Sequence, residues 1–228
     1  MKSSAVQSAI IEIDWAAQTV LPIEFRGREL KLEARAYQGK DPHDQAMALI
    51  NRATNGHSSM TPVVRVHSGC VTGDIFHSLR CDCYQQLQSA LEVIVDTPNG
   101  ILIYLPSHEG RGIGLVNKIR AYALQDKGLD TVDANVEIGA PIDARDYTLA
   151  ADILFDLGFP EIKLLTNNPA KIEALQAHGI SVCEQVPVVT APSSHNRRYL
   201  ETKRERMAHK LWSAPPPHAD KTLEQKAA

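Results

Sequence analysis

The sequence predicts an α/β (α+β) fold, a mixed β-sheet flanked by helices, and three observations carry that reading. Short apolar runs alternate with segments of helical period through the second half of the chain. Glycines stop those helical segments at Gly128, Gly158 and Gly179. Near the front, the Arg26-Gly27-Arg28 turn between two strand-like runs signals a hairpin, so the sheet need not be purely parallel.

In chain order, residues 20–25 and 30–36 form the hairpin. Asp41-Pro42-His43-Asp44 reads as a helix start with residues 46–50 as its apolar body. Residues 55–59 break the chain, and residues 62–66 form a short strand. Residues 84–95 carry Leu87, Leu91 and Ile94 at helical spacing, 100–105 read as a strand, and 115–127 as a helix. A further helix spans 145–157, followed by a strand at 161–166. A proline-opened helix at 169–177 leads into a strand at 180–186, in which Cys183 is expected to be packed. Residues 198–211 suit a solvated helix, and 213–228, with Pro215-Pro216-Pro217, a disordered tail. The expected organisation is thus a hairpin and helix region at 1–60, belonging to the same domain as a catalytic part at 61–212.

At 228 residues, 43% hydrophobic and 22% charged, the chain has the composition of a soluble globular protein. A formal net charge of −3 argues against general nucleic-acid binding, though not against a local basic site for a phosphorylated small molecule. No apolar stretch approaches the roughly 18 residues of a membrane span, and the N-terminus lacks the apolar core of a signal peptide. The expectation is a cytoplasmic protein with neither membrane nor nucleic acid as partner.

Three of the four cysteines, Cys70, Cys81 and Cys83, fall in the run Arg65 to Cys83 with the spacing Cys-x10-Cys-x-Cys. Clustered thiols in a reducing compartment more often hold metal than disulfides. Three thiolates suit zinc, and a set of three leaves a coordination position open, as catalytic sites do and closed structural sites do not.

Downstream, Glu109-Gly110-Arg111-Gly112-Ile113-Gly114 joins a strand to a helix. Backbone amides there can approach a phosphate, and Arg111 can fork onto its oxygens. The spacing matches neither the dinucleotide fingerprint nor a Walker loop. Asp143-Ala144-Arg145-Asp146-Tyr147 opens a helix, and Leu165-Thr166-Asn167-Asn168-Pro169-Ala170-Lys171 runs from a strand end into another. Ligands of open α/β sheets bind at such strand ends.

Together with Asn117-Lys118-Ile119-Arg120-Ala121-Tyr122, these motifs closely resemble GTP cyclohydrolase II in order and in most spacings, over residues 60 to 211. The resemblance implies zinc-dependent hydrolytic opening of the imidazole ring of GTP, with release of formate and pyrophosphate, at the entry to riboflavin. It places zinc on Cys70, Cys81 and Cys83, and puts Tyr122 near the water or ring. It gives Asp143 an acid/base role and makes Arg145 a nucleophile towards the α-phosphorus, with plain electrostatic stabilisation by Arg145 as the alternative. It assigns substrate contacts to Arg65, Val66, His67, Ser68, Gly69, Gln86, Glu109, Gly110, Arg111, Thr131, Thr166 and Lys171. It further implies Mg2+ with the triphosphate, a homodimer, and a chain without the dihydroxybutanone-phosphate synthase domain that some members carry in front.

Three positions depart from the family pattern. Gly69 stands where the family usually has Glu, and Tyr84 where it usually has Gly. Pro106-Ser107-His108 replaces an Arg-Gln pair with one residue more. These departures motivate two further readings, a paralogue running the same hydrolysis for a specialised or nucleotide-catabolic pathway and a zinc and nucleotide binder without turnover. Retention of the cysteines with Tyr122, Asp143 and Arg145 speaks for turnover.

Overall fold

In a computed structural model the described residues are 14–52, 60–188, 196 and 201. The front of the chain builds antiparallel sheet. Strands β1 (Asp14–Phe25) and β2 (Arg28–Gln38) form the expected hairpin, longer than its apolar runs suggest. The segment expected to open a helix at Asp41 is instead a tight turn followed by strand β3 (Gln45–Asn51). Asp41 accepts the amide of His43 on its side chain and that of Asp44 on its carbonyl, which closes the turn rather than capping a helix. Ala46, Ala48 and Ile50 are buried at every second position, a strand period, and β3 is paired on both sides.

The second half supplies parallel strands and helices. Strands β4 (Val63–Ser68), β5 (Gly100–Leu105), β6 (Glu161–Leu165) and β7 (Ser181–Val186) complete a seven-stranded sheet of order β1-β2-β3-β5-β4-β6-β7. Pairing is antiparallel from β1 through β5 and parallel from β5 through β7. The helices are α1 (Cys83–Asp96), the single turn α2 (Glu109–Gly112), α3 (Gly114–Gln125), α4 (Thr131–Glu137), α5 (Thr148–Asp156) and α6 (Pro169–Ala177).

The sheet is covered on both faces. Ile50, Val64, Val66, Ile101 and Ile103 pack with Leu149, Ile153 and Leu154 of α5 and Leu175 of α6. Leu49 and Leu102, pointing the other way, pack with Ala90, Ile94 and Val95 of α1 and with Phe25 and Leu32 of the hairpin. Helix α5 starts three residues later than its sequence pattern, because Asp146 takes the amide and hydroxyl of Thr148 and leaves 143–145 in a loop. Helix α4, not anticipated from the sequence, is capped by Asp130, whose carboxylate accepts from the amides of Val132 and Asp133. Cys183 lies in a strand as expected but is exposed on the edge strand β7 rather than packed. The solvated helix and disordered tail read from the sequence fall, apart from Glu201, outside the described residues. Among those described, no helix is long and apolar enough to cross a membrane.

Candidate active site

Three parallel strands deliver the site. The carboxyl end of β4 runs into the cysteine loop, that of β5 into the Glu109–Gly114 turn, and that of β6 into Thr166–Lys171. Adjacent parallel strands end at the same sheet edge, so these loops meet over one cleft. All the residues to which the sequence gave a role line it, except Val66, Glu109 and Asp143.

At one end sit the thiols. The Sγ atoms of Cys70, Cys81 and Cys83 lie within 4.8 Å of one another. The 3.7 Å between Cys70 and Cys81 matches the edge of about 3.8 Å in a tetrahedron with zinc–sulfur bonds of about 2.3 Å. Gly73 underlies the triad, and a Cβ there would stand 2.9 Å from Cys81 Sγ and 3.0 Å from Cys70 Sγ. The donor set therefore fits a soft tetrahedral ion. Without a cation, hydrogen bonds from the Cys81 and Cys83 thiols, and then from Lys118, hold Cys70 far below the ordinary thiol range. Its thiolate in turn pushes Cys81 up to about 11 and Cys83 well above its usual value. A divalent cation would supply the charge that three convergent thiolates need.

The loop that presents Cys70 is anchored by buried acids. Asp74 accepts from the Cys70 amide at 2.9 Å, from Tyr104 Oη at 3.1 Å and from His67 Nε2 at 3.1 Å. Glu109 accepts from the Val71 amide on one oxygen, and from Lys118 Nζ and the Gly110 amide on the other. Both its oxygens are thus used away from the cleft. Lys118 also donates to Cys70 Sγ at 3.0 Å. Lys118 received no role from the sequence, yet helical spacing was a usable signal: it lies four residues before Tyr122 and so shares its face of α3. Arg80 stacks on the other side of the site, its guanidinium 4.4 Å from the Tyr122 ring centroid.

The rest of the cleft is cationic. Arg65 is buried and already engaged, donating to Leu165 O and Gln86 Oε1. Lys171, also buried, donates to Val66 O, so Val66 reaches a cleft-lining residue through its backbone carbonyl and not its side chain. Arg111 differs. It holds a left-handed backbone at φ 66°, uncommon for a residue with a side chain, and both terminal guanidinium nitrogens are buried without a hydrogen-bond partner. Native interiors rarely leave such donors empty.

Opposite Arg111, the 143–145 loop is tied to it by the Ala144 amide donating to Arg111 O at 3.0 Å. Asp143 accepts two side-chain bonds and one backbone bond from Arg145, so it serves as partner rather than as a helix cap. Burial alone would raise the Asp143 carboxyl, and the Arg145 bonds and charge outweigh it, leaving it below the ordinary carboxylate range. Thr131, Gln125 and Asn135 from α3 and α4, with Thr166 and Asn168, complete the wall.

Fold and site together define an α/β protein with a thiol triad able to hold a metal ion beside a cleft lined by cationic side chains. Residues 16–187 match the GTP cyclohydrolase II family, and the chain belongs to that family of hydrolases. It is 48% identical over 193 residues to GTP cyclohydrolase-2 of Streptomyces coelicolor, covering 85% of this chain and 84% of that one. It is 54% identical over 149 residues to the riboflavin biosynthesis protein RibBA of Salinispora tropica, 65% of this chain but 37% of that one. Against a probable bifunctional riboflavin biosynthesis protein of rice, identity is 57% over 147 residues and 27% of the relative's length. The match therefore covers most of the first relative and about a third of the other two.

Proposed function

We propose that this chain opens the imidazole ring of GTP hydrolytically, with zinc held by Cys70, Cys81 and Cys83, and releases formate, diphosphate and the diaminopyrimidinone ribosylamine phosphate. One observation carries the reading: the thiol triad shares a cleft with the two partnerless guanidinium nitrogens of Arg111. Buried empty donors of positive charge call for an anion, and a phosphorylated nucleotide satisfies them while its base reaches the metal.

Zinc at the triad supplies Lewis acidity and an activated water for attack on the imidazole carbon. The chain's own residues do the rest. Asp74 and Glu109 fix the cysteine loop by accepting its amides. Tyr122, held beneath Arg80, orients the ring or the water. Arg111, Lys171 and Arg145 receive the phosphates, and Gln86, Thr131 and Thr166 line the nucleoside wall. Asp143 keeps Arg145 cationic and aimed, so stabilisation of phosphoryl charge is the role this geometry favours for Arg145. Among the described residues no carboxylate lines the cleft, so Mg2+ enters on the triphosphate rather than on the protein. Exposed apolar side chains at Ile75, Phe76 and Val116 are consistent with the homodimer expected from the family, which light scattering would test.

The test is to incubate the zinc-loaded chain with GTP, and separately with other purine and pyrimidine nucleotides, and to analyse products by mass. Formate and the diaminopyrimidinone from GTP are expected. Absence of product from every nucleotide would remove the reading, and product from another nucleotide alone would move it to a different substrate.

A further inference from the structure

Two of the sequence's departures from its family, Gly69 and Pro106 to His108, are one physical feature. The Gly69 amide donates to Leu105 O at 2.9 Å. A Cβ on Gly69 would stand 3.0 Å from both Leu105 O and Pro106 Cα and 3.1 Å from Tyr104 Oη. The segment after β5 thus lies directly on the end of β4, and a side chain at position 69 would have to push backbone aside. This close packing brings His108, 4% exposed, beside Ser68.

The hydrogen bonds around His108 run in one direction only. Its Nε2 lies 2.7 Å from the backbone carbonyl of Asp146, and a carbonyl can only accept. Nε2 therefore carries the hydrogen. Nδ1, 3.1 Å from Ser68 Oγ, has no hydrogen in the neutral ring and must accept from the Ser68 hydroxyl. With its one hydrogen spent on His108, Ser68 Oγ can only accept from Arg145 Nη1, 3.4 Å away. Burial is the main cause that keeps the ring neutral, and the nearby Arg145 and Lys171 charges add to it. The ring itself is fixed edge-on against Tyr147, at 5.0 Å between centroids.

We propose that His108, acting through Ser68, is a positioning residue for the Arg145 guanidinium, holding it on the opposite side from Asp143. Asp143 grips one edge of the guanidinium and Ser68 the Nη1 corner, so the group is held from two sides at the cleft wall. Tightening of the long Arg145–Ser68 bond when substrate arrives is the usual behaviour of such contacts. The proposal rests on the reading that Arg145 serves the phosphate end of the substrate.

The test is a double-mutant cycle on zinc-loaded enzyme with GTP, following diphosphate release. His108→Phe keeps a ring against Tyr147 but can neither donate to Asp146 nor accept from Ser68. It should lower kcat about tenfold and leave KM within about twofold, the size expected of a supporting partner. Ser68→Ala should cost a similar factor in kcat, and the double variant no more than either single, because the two act in series. His108→Asn, whose Oδ1 replaces Nδ1 as acceptor while the Asp146 contact is lost, should lose much less than His108→Phe. Ring 15N NMR of the unmodified chain should show the Nε2–H tautomer, with the Nδ1 signal shifting in Ser68→Ala. That measurement decides the matter even if His108→Phe does not fold. Factors that multiply, an Asn variant as slow as the Phe variant, or an Nδ1–H tautomer would each overturn the proposal. If Arg145→Lys released diphosphate at the original rate, the role of Arg145 itself would fall and the proposal with it. A slow Arg145→Lys with multiplying factors would leave that role standing and overturn the proposal alone.

Discussion

The two ends of the cleft are built on opposite principles. At the thiol end the buried acids are in use: Asp74 and Glu109 accept loop amides, and Lys118 bridges Glu109 and Cys70. At the other end Arg111, on a turn of left-handed backbone, keeps both terminal nitrogens empty. The difference suits what each end is proposed to receive. A resident cation needs a cage whose supporting groups are already paired, because its ligands must converge before it binds. A substrate anion needs donors left unpaired, since a satisfied guanidinium gains little by meeting a phosphate.

The largest effect should come from breaking the cage itself. Cys81→Ser is expected to weaken zinc binding by more than about 100-fold, beyond the loss typical of outer-sphere changes, and to abolish formate release. Metal content after dialysis and formate assay check it, and a variant that kept full ring opening would remove the metal from the chemistry. At the other end, Arg111→Met should lower kcat/KM for GTP by about 100-fold, the scale for loss of one preorganised donor group, while leaving zinc content unchanged. If zinc content fell with it, the two ends would not be separable.

A finer probe is Lys118→Met, which removes a cation that donates to Cys70 Sγ. Zinc affinity, read by competition with a chromophoric chelator, should fall about tenfold to 100-fold. Because Glu109 would be left buried and unpaired, the Lys118→Met, Glu109→Gln double variant is the better-folded comparison. An affinity equal to that of the original chain in the double variant would show that Lys118 serves only to neutralise Glu109.

Much of this contrast was legible in the sequence, and what was not has a physical reason. The Cys-x10-Cys-x-Cys spacing pointed to the triad because a metal needs few residues at short range. The parallel half of the fold was readable because its strands and helices punctuate one another with glycine and proline. Strand β3 was misread because 46–50 is a short apolar run, which periodicity alone cannot divide between helix and strand. The turn at Asp41 imitates a helix start because the same Asp side chain that caps helices also closes turns. Glu109 and Arg111, two residues apart in one motif, turned out to face different ways. Only the left-handed backbone at Gly110 and Arg111 decides that, and side-chain identity does not report it. His108 gave no signal of a partner, since Ser68 and Asp146 lie about 40 residues away in either direction, at 40 and 38 positions.

A last prediction joins the two ends through pH. Burial lowers His108 from its usual value of 6.5 to about 4, and the Arg145 and Lys171 charges reinforce this against the opposing Asp146 contact. The groups around the ring are Ser68, Asp143, Arg145, the Asp146 carbonyl, Tyr147 and Lys171. Because the folded value is depressed, the unfolded chain binds a proton first on acidification. The stabilisation is therefore complete above pH 6.5 and is lost as pH falls to about 4, on the order of 3 kcal/mol at about 1.4 kcal/mol per unit. Urea midpoints across that window should show the original chain losing stability more steeply than His108→Asn. Their difference isolates this ring from His67, which burial also depresses. Across the same window diphosphate release should fall ahead of zinc release, because a protonated Nδ1 can no longer accept from Ser68 while the cysteine cage does not depend on His108. Zinc lost first on acidification would show that the cage, and not the guanidinium end, is the more acid-sensitive half of the cleft.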